Sequence, residues 1–391
     1  MFNRYLSRYA STPIFTIVGC VIILFVYNHV SLKPCRTDDK FLKNALPVVT
    51  TVYTTRPRTT AQTGDGYLPI DVPWTAAHNK DDYVKAKFDK SCYTATLPFH
   101  IPKALRNDSE LHERDCVQRV PRAIIPGIRK CGTAALQHFL TVHPYITGPI
   151  LEVHFFDSKG KYNTNGDSEP SYGWYKQQMP YTTVEEIGIE KTPAYVFRPP
   201  DLPRRVAEEM PPETVFIVTL CDPVRRAVSD YLEYNRKKTG TEEMMGLHKY
   251  VGETFESSVI RNGYLDQLNE FVDMGIYLKH LLRWLDHIPM NRLHVVDGGI
   301  LAEDPALELR KIETFLGVPH FFRREHFYRN ESRGLQCMSF PSTQHCLPLN
   351  KGRVHPDVAL DVFKQLCDFY RPYNLALENL FRQKFTWTEI C

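Results

Sequence analysis

The sequence predicts an α/β domain, a central parallel sheet flanked by helices, that follows an N-terminal membrane anchor and a stem. Strand-like and helix-like segments alternate along the second part of the chain, as they do in parallel sheets. The first strand-like segment leads into a glycine-containing loop that resembles a P-loop. An apolar segment near the N-terminus precedes a threonine-rich tract. In folds of this class, ligands bind at the carboxyl ends of the strands.

Residues 12–30 predict the anchor. They carry no Lys, Arg, Asp or Glu, and about 19 such residues nearly span a bilayer. Arg4 and Arg8 precede the segment, and no clear small-residue cleavage site follows it. A retained signal anchor is therefore favoured over a cleaved signal peptide, with residues 1–11 as a cytosolic tail.

Residues 31–115 predict the stem. Seven threonines and Pro57 lie within residues 50–63. This composition is typical of an extended, O-glycosylated stalk, and a plain disordered linker is the alternative. Both interpretations hold a domain of residues 116–391 away from the membrane.

The composition narrows the class of protein. The chain has 391 residues, of which 43% are hydrophobic, enough for a sizeable core. A net charge of +3 does not support a general nucleic-acid binder. The sequons at Asn107 and Asn330 predict glycosylation on a luminal face.

The cysteines suit an oxidising compartment if some of them pair. Cys337 and Cys346 are nine residues apart, and His345 alone is insufficient for a metal site, so a local disulfide is the better interpretation. The sequence leaves open the pairing of four further cysteines, and whether Cys131 and Cys221 are near enough to react. Those four are Cys92, Cys116, Cys367 and Cys391.

The alternating segments define the expected sheet. Strands are predicted at residues 123–125, 186–189, 215–220 and 293–296. Helices are predicted at residues 133–142, 223–237, 275–285 and 305–316.

The loop after the first strand predicts an anion site. Gly127 and Gly132 have the P-loop spacing, but Thr133 stands where that motif has lysine. Backbone N–H groups at the start of the helix attract an anion, and Arg129 and Lys130 add positive charge. The ligand is expected to be a phosphate or a sulfate. The alternative is an ordinary strand–turn–helix with surface cations.

Residues 151–157 predict a general base. In an extended conformation, Glu152, His154 and Phe156 share one side, so that Glu152 has a polar neighbour. Lys191 ends another predicted strand and is expected in the same region. A solvated strand edge is the alternative.

The helix after the third strand predicts a second anion contact. Asp222 is a suitable N-cap and Pro223 a suitable first helical residue. Arg225 and Ser229 are four residues apart and share a face, on which Ser229 is expected to donate to a second phosphate. An exposed polar face is the alternative. Lys351-Gly-Arg353 is a further cationic turn, or a plain surface loop.

Together these segments resemble the heparan sulfate glucosamine 3-O-sulfotransferase family over about residues 120–388. The motifs that carry the resemblance occur in the family's order: Gly127-Ile-Arg-Lys-Cys-Gly-Thr133, Glu152-Val-His-Phe-Phe-Asp157, Gly173-Trp-Tyr-x-x-Gln-Met-Pro180, Glu190-Lys-Thr-Pro-Ala-Tyr195, Asp222-Pro-x-x-Arg-x-x-Ser-Asp-Tyr231, His294-Val-Val-Asp-Gly298 and Lys351-Gly-Arg-Val-His-Pro356.

The resemblance implies a sulfotransferase fold on a single-pass type II Golgi anchor, with the catalytic domain in the lumen. The sulfo donor would be 3′-phosphoadenosine 5′-phosphosulfate (PAPS), no metal would be needed, and the acceptor would be the 3-hydroxyl of glucosamine in heparan sulfate. The implied partners are heparan sulfate chains and the membrane, without nucleic acid; the oligomeric state is left open.

The resemblance also implies roles for individual residues, which we carry over by position. The catalytic residues would be Glu152 as general base, Lys130 and Lys191. The donor-binding residues would be Arg129, Lys130, Cys131, Gly132, Thr133, Ser229, Lys351, Gly352 and Arg353. The acceptor-binding residues would be His154, Asp157, Arg129 and Lys191. A disulfide would join Cys337 and Cys346.

Three departures from the family pattern bear on activity. Cys221 replaces an arginine that contacts the 3′-phosphate, for which Arg225, Arg226 or a nearby cation is expected to compensate. Cys131 and Ala134 replace a glycine and a cation in the anion loop. Glu233 replaces a sugar-contacting glutamine. These changes motivate a second hypothesis, a catalytically impaired heparan-sulfate-binding homologue. A P-loop kinase is disfavoured by the missing lysine and the luminal topology.

Overall fold

The computed structural model of the chain describes residues 83, 87–89, 91–94, 104–157, 171–238, 251–339, 346–347 and 355–391. All of them belong to one compact unit, Gly66–Cys391. The predicted tail and anchor, residues 1–30, lie outside the described residues. Within those residues, no helix has the length and apolar character needed to cross a membrane.

The strands of the central sheet alternate with helices along the chain, as predicted. The strands are β1 (Tyr93–Thr94), β2 (Ala104–Leu105), β3 (Val117–Gln118), β4 (Ala123–Gly127), β5 (Ile146–Thr147), β6 (Tyr181–Thr182), β7 (Ile187–Lys191), β8 (Val215–Leu220), β9 (Ile260–Arg261), β10 (Tyr264–Leu265), β11 (Leu293–Asp297), β12 (Phe327–Asn330) and β13 (Leu335–Met338). The α-helices are α1 (Asp108–Glu113), α2 (Thr133–Leu140), α3 (Tyr172–Gln177), α4 (Leu202–Glu209), α5 (Pro223–Lys238), α6 (Phe255–Val259), α7 (Glu270–Asp273), α8 (Tyr277–Leu285), α9 (Gly298–Glu303), α10 (Pro305–Leu316) and α11 (Leu360–Phe381).

A five-stranded sheet organises the unit, with the strand order β11-β8-β4-β7-β5. All four strand pairs are parallel, which confirms the predicted parallel sheet. From β4 the chain first builds one side of the sheet, β5 and β7, and then the other side, β8 and β11. The carboxyl end of β4 is therefore the switch point at which ligands bind in such sheets.

Both faces of the sheet are buried, which explains why its strands are apolar without alternation. Ile124 of β4 and Phe216 of β8 join the core on one face, whereas Ile125 and Ile217 join the core on the other face. The parallel register pairs Ile124 with Phe216 directly. The predicted strands and helices are confirmed to within a few residues at their ends.

The prediction that residues 151–157 are extended is wrong. None of them belongs to a strand, residues 155–157 form a turn, and His154 has a φ of +56°, outside the extended region. The backbone N–H of Phe155 donates to Tyr195 Oη at 2.9 Å, and Arg205 donates to the carbonyl of Phe156 at 3.3 Å. Side chains thus satisfy backbone groups that a neighbouring strand would otherwise pair. Strand β5 was not predicted, because two residues carry too little periodicity.

The folded unit extends into the predicted stem, so the boundary near residue 115 falls inside it. A disulfide joins Cys92 and Cys116. Tyr83 Oη donates to the carbonyl of Val142 at 2.9 Å, and Lys87 Nζ donates to the carbonyl of Ile146 at 2.8 Å. The predicted Cys337–Cys346 disulfide is confirmed, and Cys367 pairs with Cys391.

Candidate active site

The anion loop joins β4 to α2. Gly132 forms the N-cap of α2 in the left-handed conformation, with a φ of +86°, which glycine adopts without strain. Among the described residues, no side chain caps this helix, and its first turn has no acidic residue. The N–H groups that open α2 are therefore suited to an anionic ligand.

The two loop cations lie beside carboxylates of α5. Arg129 Nη2 is 2.5 Å from Asp230 Oδ1, and Lys130 Nζ is 3.7 Å from Glu233 Oε2. Burial opposes the charge on Arg129, but the Asp230 carboxylate outweighs burial and raises the pKa of the guanidinium. Asp230 is fully buried and also binds Arg226 Nη1 at 3.0 Å. The loop and α5 are thus held together by ion pairs that the sequence did not reveal.

The predicted base and its neighbours do come together. Glu152 Oε1 lies 2.5 Å from Lys191 Nζ, and Glu152 Oε2 lies 3.3 Å from His154 Nε2. His154 Nδ1 lies 2.9 Å from Asp157 Oδ2. Partial burial alone would raise the pKa of Glu152, but the hydrogen bonds from His154 and Lys191 outweigh it and lower that pKa to about 2. Glu152 is therefore ionised at neutral pH.

The His154 ring bridges two carboxylates and is cationic at neutral pH. Burial lowers its pKa, but the hydrogen bonds to Asp157 and Glu152 outweigh burial and raise the pKa from 6.5 to about 9. At the same time the raised proton affinity makes this cluster a source of pH-dependent stability.

We expect the stability contribution of His154 to decline as the pH rises. Because its folded pKa is raised, the contribution is complete below about pH 6.5 and is lost as the pH passes through about 9. At pH values below 6.5, the melting temperature of the wild type should exceed that of His154→Gln by about 2–4 °C. This difference corresponds to a loss of roughly 1 kcal/mol in the free energy of unfolding. Thermal melts of both proteins from pH 5 to 10 test this. A difference that is independent of pH would contradict it.

A buried layer beneath this cluster was not predicted. The backbone N–H of His154 donates to Thr192 Oγ1 at 3.3 Å, and the Thr192 hydroxyl donates to Glu190. Burial raises the pKa of Glu190 to about 8, so its carboxyl group is largely neutral at pH 7. The sequence signal that could have identified Glu190 is its position next to Lys191 at the end of β7, because the carboxyl ends of parallel strands meet at one edge of the sheet.

Helix α5 carries the predicted second anion contact. Asp222 Oδ1 accepts from the backbone N–H of Val224 at 2.8 Å, so it caps the helix start as predicted. Ser229 is partly exposed and Arg225 is exposed. Arg226 is 1% exposed and donates to the carbonyl of Phe271, so it is directed into the core and does not replace the missing arginine.

Other predicted residues fall outside this site. Lys351, Gly352 and Arg353 lie outside the described residues. Asn107 is exposed at the start of α1, and Asn330 is partly exposed in β12. Across the described parts of the chain, no group of three or more His, Cys, Asp or Glu side chains could hold a metal ion.

The two cysteines that depart from the family pattern near the anion loop are joined by a disulfide. Cys131, in the anion loop, and Cys221, directly after β8, form a disulfide with an S–S distance of 2.04 Å. In the sequence, each of them is a separate departure from the family pattern. The short distance between their Cα atoms, 5.3 Å, follows from the adjacency of β4 and β8 in the sheet.

Comparison with known sequences identifies the relatives of this chain. Residues 121–353 match the family model described as the sulfotransferase domain. Mouse heparan sulfate glucosamine 3-O-sulfotransferase 3B1 is 37% identical over 276 residues, which cover 69% of this chain. The match spans 65% of the length of that relative. Mouse heparan sulfate glucosamine 3-O-sulfotransferase 5 is 31% identical over 325 residues, which cover 82% of this chain and 88% of the relative.

A solved structure agrees with the fold. The crystal structure of a sulfotransferase from Alicyclobacillus acidocaldarius matches with a TM-score of 0.50 and 22% identity. The match covers 69% of this chain and 99% of that structure. The predicted sulfotransferase fold, a parallel sheet flanked by helices, is thereby confirmed.

Proposed function

We propose a sulfo-transfer reaction for this chain, which belongs to the heparan sulfate glucosamine 3-O-sulfotransferase family of sulfotransferases. The acceptor is the 3-hydroxyl of a glucosamine in heparan sulfate, and the donor is PAPS. The observation that carries the proposal is the Glu152–Lys191 pair. Lys191 ends β7, so this pair lies at the carboxyl edge of the sheet, where the anion loop also begins. The relatives named for this activity support the choice of reaction.

The anion loop is suited to the donor. When bound, PAPS supplies the sulfo group and a nucleotide leaving group. Lys130 and the backbone N–H groups through Thr133 hold the 5′-phosphosulfate end, and Ser229 binds the 3′-phosphate. The further donor-binding residues carried over from the family are Arg129, Cys131, Gly132, Lys351, Gly352 and Arg353. Lys130 also stabilises negative charge where it develops during transfer.

Glu152 removes the proton from the acceptor hydroxyl. A carboxylate with a pKa of about 2 is ionised but weakly basic, because Lys191 and His154 stabilise its charge. Anionic groups of the acceptor attract Lys191, Arg129 and His154, which raises the basicity of Glu152 when the acceptor is bound. Asp157 keeps the His154 ring in place. Alignment of the two substrates supplies much of the remaining rate.

The cellular setting follows the same proposal. Residues 12–30 anchor the protein in the Golgi membrane, with the domain in the lumen and glycans at Asn107 and Asn330. An oxidising lumen suits the four disulfides among the described residues. The partners are heparan sulfate chains and the membrane.

A transfer assay tests the function. Purified full-length protein is incubated with radiolabelled PAPS and defined heparan sulfate oligosaccharides, and the sulfated position is determined by disaccharide analysis. We expect label at the 3-hydroxyl of glucosamine, and we expect it to persist in the presence of EDTA. If folded protein that still binds heparan sulfate shows no transfer at saturating donor, this proposal is wrong. The alternative, a catalytically impaired heparan-sulfate-binding homologue, would then be favoured.

A further inference from the structure

The Cys131–Cys221 disulfide connects two loops that meet at the carboxyl edge of the sheet. Cys131 belongs to the anion loop between β4 and α2, and Cys221 immediately precedes Asp222, the residue that caps α5. The two cysteines are 90 residues apart in the chain. The disulfide therefore ties the loop that binds one end of the proposed donor to the start of the helix that binds the other end.

The surroundings of the disulfide are closely packed. Tyr277 of α8, which is 1% exposed, donates its hydroxyl to the carbonyl of Cys221 at 2.8 Å, and its oxygen lies 3.5 Å from Cys131 Sγ. A Cβ atom on Gly298 would lie 3.1 Å from Cys221 Cβ and 3.3 Å from the carbonyl oxygen of Cys131. It would also lie 2.7 Å from the carbonyl oxygen of Leu220, so only glycine fits there without a shift of the backbone.

The anion loop needs such a restraint. Lys130 has a φ of +75° and Gly132 a φ of +86°, so the residues on both sides of Cys131 are left-handed. A lysine adopts this conformation only when its surroundings hold it there. The backbone N–H of Ile128 donates to Thr219 at 3.1 Å, which holds the start of the loop. The disulfide holds the residue between Lys130 and Gly132.

We propose that Cys131, Cys221 and Tyr277 are positioning residues that preorganise the anion loop for the donor nucleotide. The disulfide fixes the Lys130 backbone and the N–H groups that open α2 relative to the start of α5. Nucleotide binding then requires little further ordering of the loop, and less ordering means higher affinity. The inference rests on the proposed function, because it takes the nucleotide of PAPS as the ligand.

The linkage itself is tested by peptide mapping of the full-length protein without reduction. We expect the peptides that contain Cys131 and Cys221 to be joined, as are those of the other pairs. Free thiols at both positions would overturn the proposal.

The functional role is tested with the double variant Cys131→Ser/Cys221→Ser. The matched control is Cys92→Ser/Cys116→Ser, which removes a disulfide in a separate apolar cluster. Titration calorimetry gives the Kd of adenosine 3′,5′-bisphosphate, and kinetics separate KM for PAPS from kcat. We expect Kd and KM to rise about tenfold in the first variant, with kcat at saturation within about threefold. The control should bind like the wild type. Equal affinity in both variants, or an equal loss, would overturn the proposal.

Hydrogen exchange on the wild type keeps the test decisive if the variant fails to fold. We expect the amides of Ile128 and Cys131 to be as protected without nucleotide as with it, because the loop is already ordered. Protection that arises only on addition of the bisphosphate would contradict preorganisation. If the wild type does not bind the bisphosphate at all, the proposed function fails. If the wild type binds it and the double variant binds equally well, only the present inference fails.

Discussion

Replacement of Glu152 with glutamine is expected to lower the rate of sulfo transfer by about 10²–10⁴, the usual contribution of a general base. Glutamine keeps the size of the side chain and can still accept a hydrogen bond from Lys191, but it cannot take the proton of the acceptor hydroxyl. The loss should appear in kcat at saturating PAPS. The Kd of adenosine 3′,5′-bisphosphate should be nearly unchanged, because the Glu152 carboxylate contacts Lys191 and His154, which belong to the proposed acceptor site.

The matched control for this variant is Glu190→Gln. Glu190 is buried next to Lys191 in β7, and its raised pKa of about 8 leaves it largely neutral at pH 7. A neutral amide of the same shape should therefore preserve most of the activity at that pH. A Glu152→Gln enzyme that retains wild-type kcat would rule out Glu152 as the base, whatever the control shows.

Replacement of Lys130 with methionine is expected to lower kcat by about 10²–10³, the loss typical of removing one group that stabilises transition-state charge. Methionine retains most of the aliphatic stem, so the packing of the loop changes little. The affinity for the bisphosphate should also fall, because the cation is lost from the anion loop. Single-turnover kinetics with preloaded PAPS separate the chemical step from binding.

The ion pair between Lys130 and Glu233 requires its own control. The variant Glu233→Gln removes the carboxylate 3.7 Å from Lys130 Nζ but keeps the lysine. If the pair merely holds the loop, both variants should lose activity alike. We expect Glu233→Gln to retain far more transfer than Lys130→Met. Equal losses in the two variants would assign the effect to the ion pair instead of to charge stabilisation.

The fold was largely predictable because its signals are local. Buried parallel strands such as β8 are runs of apolar residues, and helices such as α10 begin with proline and end at glycine. The predictions of local structure were incomplete or wrong where a segment was too short to show a hydrophobic period, or where tertiary contacts overrode that period. The two residues of β5 carry no pattern, and the turn at His154 is held by hydrogen bonds from distant parts of the chain.

The proximity of three predicted site residues could be anticipated from the sequence, whereas their protonation states could not. Glu152 and His154 were grouped because they would share one side of an extended segment, and Lys191 because it ends a predicted strand. The structure brings the three side chains together. Their protonation states were not accessible, because a pKa depends on burial and on neighbours several ångströms away. Glu152 contacts Lys191 and His154, so it is not part of a solvated strand edge, which was the alternative interpretation.

The sequence by itself determined the α/β class, the glycine-containing loop between β4 and α2, and the family, since each depends on residue types at fixed spacings. Only the tertiary structure decided the meaning of Cys131 and Cys221. Read along the chain, they are two separate losses, a glycine and a cation. In the fold they form one disulfide. The adjacent parallel strands β4 and β8 bring these residues, 90 positions apart in the chain, to a Cα–Cα distance of 5.3 Å. Contacts of that kind arise from strand order, which no local pattern encodes.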